Sequence, residues 1–140
     1  MRRRINLLIS VLIFPIITGC VSQPSPTEIA GADYGLYPSN YEIIVKSYME
    51  ASLKDPFSTQ YKLISFPEKY WIGGGLERPG VYGYRACVTY NAKNSFGAYV
   101  GYKTVLMLIK NNSVVKTIEN ATNYLGSGRN LCEQAKNSLT

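Results

Sequence analysis

Between Val81 and Glu119 the chain reads as three consecutive strands, which leaves few folds open. From Val81 to Asn91 the residues alternate, with Tyr82, Tyr84, Ala86, Val88 and Tyr90 on one face and Arg85, Cys87 and Thr89 on the other. Ala98 to Ile109 is long and rich in β-formers. Asn111-Asn112 follows, a pair able to take the left-handed angles of a tight hairpin. Ser113 to Glu119 is then the return strand. Sequential strands joined by short turns build an antiparallel sheet, and such a sheet needs at least one face covered.

The cover is expected from a helix ahead of it. Ser39-Asn40-Tyr41-Glu42 fits an S-x-x-E capping box. Tyr41, Ile44, Val45, Tyr48, Ala51 and Ser52 then share one helical face. Glu42 with Lys46, and Glu50 with Lys54, are i,i+4 pairs on the other side. Asp55-Pro56 ends the helix, because a residue before proline is pushed away from helical angles. Thr59 to Phe66 is a further strand candidate. Pro67 to Gly80 reads as a loop holding Tyr70, Trp71 and Gly73-Gly74-Gly75. Asn130-Leu131-Cys132-Glu133 is a second capping box that opens a short C-terminal helix. The expected fold is α+β: an N-terminal amphipathic helix packed on a three- to four-stranded antiparallel sheet, with a short C-terminal helix.

The amino terminus has a different character. Arg2, Arg3 and Arg4 precede a mostly apolar run from Ile5 to Ile17, shorter than the ~20 residues of a spanning helix. This is the pattern of an export signal. Ile17-Thr18-Gly19-Cys20 resembles the bacterial lipobox. The resemblance implies cleavage after Gly19, a diacylglyceryl group on Cys20 and an acylated amino terminus. More than one acyl chain gives stable anchoring, at about 0.8 kcal/mol per buried methylene. Val21 after the cysteine implies, by the same resemblance, the outer membrane, with the domain facing the periplasm. The chain thus divides into a signal (1–19), a lipidated cysteine with a flexible Pro- and Ser-rich tether (20–38), and a small α+β domain (39–140). Cleavage discards three of the 15 basic residues and none of the 9 acidic ones, halving the net charge of +6. It also leaves two of the 3 cysteines, Cys87 and Cys132, expected to form one disulfide in an oxidising compartment.

No catalytic set stands out. Histidine is absent, which excludes Ser-His and Cys-His nucleophile pairs and His-ligated metals. Ser113-Val114-Val115-Lys116 matches S-x-x-K, but on a strand its first and last residues face opposite ways. The glycine triplet lacks the Lys-Ser or Lys-Thr of a phosphate loop. Lysines and arginines of the mature chain are scattered singly, so nucleic acid is not an expected partner. Neither a cofactor nor a metal is expected. All 12 tyrosines lie in the mature part, serving either as half-buried strand faces or as protein-binding surface.

A second resemblance covers most of the domain. Tyr37-Pro38-Ser39-Asn40-Tyr41-Glu42, then Leu53-Lys54-Asp55-Pro56-Phe57-Ser58, then Asn91-Ala92-Lys93-Asn94-Ser95-Phe96-Gly97 with Tyr99, Gly101 and Lys103, is similar to a pattern in small proteobacterial lipoproteins. That group brings no assigned activity. It focuses attention on Asn91, Lys93, Asn94, Ser95 and Phe96, either as a recognition loop on a rigid hairpin or as a loop that bonds its own backbone. The functional expectation is a non-enzymatic, lipid-anchored module with an envelope protein partner. The alternative is a peptidoglycan or small-ligand binder using Tyr70 and Trp71 as an aromatic platform. A carboxylate-based hydrolase ranks third.

Overall fold

The computed structural model describes residues 23–73, 80–123 and 130–133. The expected signal (1–19), Cys20, most of the glycine loop and the expected C-terminal helix beyond Glu133 lie outside them. The described residues form an α+β domain with two helices, α1 (Pro26–Gly31) and α2 (Tyr41–Ser52), and five strands. These are β1 (Gln60–Ile64), β2 (Glu68–Ile72), β3 (Val81–Asn91), β4 (Lys103–Lys110) and β5 (Ser113–Ile118). All pairings are antiparallel, in the order β1-β3-β4-β5, with β2 also on β3.

The strand count exceeds the expected three to four because Glu68–Ile72 is a strand rather than part of a loop. β3 has 11 residues, long enough to pair with β1 at Val88–Asn91 and with β2 at Val81–Arg85 on the same edge. Between the two, Pro67 has no N–H to give to a ladder. Ser65 takes over there: its N–H donates to the Cys87 carbonyl and its hydroxyl accepts the Cys87 N–H, both at 2.9 Å. The β4–β5 turn follows the sequence, with Asn111 at φ 49° and Asn112 at φ 59°.

β4 is buried on both faces. Val105, Met107 and Ile109 meet Val45 and Met49 of α2 together with Ala86, Val88 and Tyr90 of β3. Leu106 points the other way, into a cluster with Cys87, Ala121 and Cys132. Gly83 admits β4 closely, since a Cβ there would stand 2.7 Å from the Ile109 carbonyl oxygen. Arg85, 6% exposed, anchors this second face. Its guanidinium donates to the Glu68 carboxylate and the Leu131 carbonyl, each at 2.8 Å, and lies over the Tyr70 ring. The Cys87–Cys132 disulfide closes the face, tying the 130–133 segment to β3.

Two details differ from expectation. The helix starts at Tyr41 behind Asn40, with no side-chain cap, so the Ser39/Glu42 box does not form; Glu42–Lys46 does pair, at 3.7 Å. The box forms instead at Ser25 and Glu28, with Pro26 at the first helical turn. The presumed tether is therefore structured from Ser25 onward. Tyr34 and Pro38 are buried, and Tyr34 packs edge-on to Tyr82 at 5.6 Å. Asp33 holds the segment to the sheet, accepting from the Gly35 N–H and pairing with Lys110 at 3.1 Å. Those two contacts, the Gly35 N–H foremost, keep its carboxyl below its ordinary value.

Candidate functional site

The expected site residues fall at three places. Cys87 and Cys132 are joined as predicted. Both are almost fully buried, which makes the bond structural. Tyr70 and Trp71 sit at successive strand positions and point to opposite faces, because side chains alternate. Tyr70 lies beneath Arg85 on the disulfide face. Trp71 is opposite Tyr82 on the other face, and its ring rests against Gly73 and Gly80. They do not form one platform.

The segment 91–97 is built differently. Asn94 holds its turn from within: its side-chain oxygen accepts the Phe96 N–H at 2.9 Å and the Ala98 N–H at 3.1 Å. Gly97 and Gly101 take positive φ angles of 80° and 96°, which favour glycine at both positions. Gly101 and the wide loop delay β4 until Lys103, well after the expected Ala98. Ser95 and Phe96 project from the tip, and Phe96 is 94% exposed.

This loop is bolted to a second one. Asp55-Pro56-Phe57-Ser58 leaves α2 as a 3-10 turn over Pro56–Ser58. The Lys93 N–H donates to the Ser58 hydroxyl at 2.9 Å, and the Tyr99 hydroxyl donates to the Ser58 carbonyl at 3.1 Å. The Lys93 ammonium lies 5.6 Å from the Tyr99 ring centroid. Two sequence stretches some 35 residues apart thereby become one surface. The two stretches carry exposed Phe57, at 100%, and Phe96, Tyr99, Val100 and Tyr102. Sequence reasoning missed Phe57 and Ser58 as parts of the site. The available signal was Asp55-Pro56, which forces the chain to turn at the helix end.

The surface lies at one end of the sheet. The incoming segment packs on Tyr82 and Tyr84 at the other end. From Tyr84 to Asn91 the strand spans about 23 Å. The loop pair and the incoming segment therefore stand toward opposite ends of β3.

Beneath the loops, Tyr90 joins the core. Its phenol is held above its ordinary value, chiefly by burial, with Glu119 adding to the effect. Burial does the same for Tyr61, with Glu50 and Tyr90 adding, and for Tyr41, with Glu42 and Tyr37 adding. These groups bind their protons more tightly folded than unfolded. Their contribution to stability is complete below the unfolded value near 10.0 and is lost as pH rises through the folded values. The urea midpoint is expected to hold steady up to about pH 9.5 and to fall above about pH 10, less steeply in Tyr90→Phe. A Tyr90→Phe curve parallel to that of the wild type would contradict this.

Among the described residues no cluster of three or more His, Cys, Asp or Glu is placed to hold a metal ion, and no helix is long and apolar enough to cross a membrane. No protein-family model matches this chain, and neither does any curated protein or solved structure.

Proposed function

We propose that the chain is a lipid-anchored envelope protein that acts without catalysis, as a protein-binding or structural accessory module. Its anchor is a lipid on Cys20, in the outer membrane, and its domain faces the periplasm. The observation that carries the binding part is the loop pair at the end of β3. It combines fully exposed aromatic rings with a backbone immobilised by its own hydrogen bonds. Exposed Phe and Tyr on a preorganised surface bind at low entropic cost. The disulfide supports an exported location, since such bonds persist in oxidising compartments. The anchoring part rests on the lipobox resemblance alone. The peptidoglycan reading has less support, because Tyr70 and Trp71 diverge.

Two measurements test this. Cells fed labelled fatty acid should label the mature protein and leave Cys20→Ala unlabelled; equal labelling of both refutes the anchor. A photo-crosslinking residue in place of Phe96 should trap one protein partner in intact cells, whereas the same residue at exposed Lys116, toward the other end of the sheet, should not. Crosslinking at neither position would overturn the protein-binding reading.

A further inference from the structure

A cleft of about 170 Å³ opens between the end of α2 and the β3–β4 loop. Buried Tyr90 and Ala92 line it, with Leu53 and Val100 beside them. Its polar lining is one-sided in charge: Lys54, Lys93 and Lys103 all border it, and no carboxylate does. Each of the three arrives from a different part of the chain, the helix end, the end of β3 and the start of β4. Asp55, next to Lys54, is half-buried, and Glu119 acts on Tyr90 from outside the lining.

We propose that this cleft receives an acidic segment of a partner protein, with one aliphatic side chain seated against Leu53, Ala92 and Val100 and flanking carboxylates on Lys54, Lys93 and Lys103. The proposal rests on the protein-binding reading above and names the chemistry of the partner. Three features favour a peptide segment over a lipid surface. The apolar part is concave and has room for a single side chain, a shape that selects a fixed knob rather than a fluid layer. Its walls are pinned through Ser58 and Asn94, so little order has to be gained on binding. Exposed Phe57, Phe96 and Tyr102 each stand within three residues of a residue that lines the cleft, which adds apolar surface around it. Lysines around an apolar centre are the arrangement of an interface rim, where charge chooses the partner and speeds the encounter.

The test uses the full mature protein in detergent and a fluorescein-labelled peptide with a central leucine between glutamates. Anisotropy should rise with this peptide and not with one in which lysines replace the glutamates. Replacing the leucine by alanine should weaken binding about tenfold, the effect of one small apolar side chain. The Lys54→Glu/Lys103→Glu variant alters two exposed side chains; it should lose binding while keeping the wild-type melting temperature, and the milder Lys54→Gln/Lys103→Gln should fall between. Equal affinity for the acidic and basic peptides would overturn the proposal. So would charge-sensitive binding to phosphatidylglycerol vesicles without binding to the acidic peptide, which would assign the cleft to lipid. If the residue at position 96 crosslinks a partner equally in the wild type and in the Lys54→Glu/Lys103→Glu variant, the acidic-segment proposal fails and the protein-binding reading stands. If nothing crosslinks, that reading fails first.

Discussion

The Cys87→Ala/Cys132→Ala variant is expected to lose about 4 kcal/mol of stability. The bridge spans 45 residues, and closing a loop of that length removes about that much chain entropy from the unfolded state. In a domain of this size each kcal/mol corresponds to about 4–8 °C of melting temperature. The loss should therefore be plain in urea and thermal curves at neutral pH. The bridge also closes the second face: Cys87 and Cys132 pack with Leu106 and Ala121, and Tyr70, Ile72 and Ile118 lie against them. Both sulfurs are shielded, so dithiothreitol should act slowly on the native protein and quickly once urea opens it. A double variant within about 1 kcal/mol of the wild type would show that the cross-link does not carry the stability assigned to it.

Arg85→Ala is expected to cost about 3 kcal/mol, the lower end of the range for breaking a buried pair. The low end applies because Glu68 keeps 35% of its side chain exposed and can rehydrate. The rest of the cost comes from the Leu131 carbonyl, which loses its donor, and from the Tyr70 ring, which loses its cover. Glu68→Gln retains an acceptor for the guanidinium and should cost about 1 kcal/mol. Equilibrium urea unfolding of the two variants, in oxidised form, measures both. Equal losses would mean that the ion pair with Glu68, and not the contact to the 130–133 segment, dominates. Since Arg85 and the disulfide hold the same segment to β3, the two changes should not be additive.

The extent of β3 follows from strict alternation, and the β4–β5 turn follows from the Asn-Asn pair, the kind of residue that accepts a left-handed backbone. Helix α2 follows from its apolar spacing, with Met49 added to the buried face and Ala51 and Ser52 left exposed. Strand β2 was hidden because five residues after a proline carry too little periodicity. It exists because β3 offers an open edge at Val81–Arg85 and Glu68 finds Arg85 across it. The Ser25/Glu28 box was legible as S-x-x-E with proline behind it, yet a Pro- and Ser-rich composition reads as tether. Tyr34 is buried where the rings of Tyr82 and Tyr84 on β3 stand against it.

The candidate site shows the same division. Asn94, Gly97 and Gly101 announce a loop with special backbone angles by their residue types alone. Nothing local joins that loop to Phe57 and Ser58, or sets Lys54 beside Lys93 and Lys103. By itself the sequence determined the antiparallel sheet, the covering helix and the cysteine pairing, because periodicity, turn chemistry and cysteine parity act over short stretches or by count. Only the tertiary structure decided which tyrosines are core, that Tyr70 and Trp71 face apart, and that two distant loops share one aromatic, lysine-bordered surface. Strand register decides these, and register emerges when the chain closes on itself.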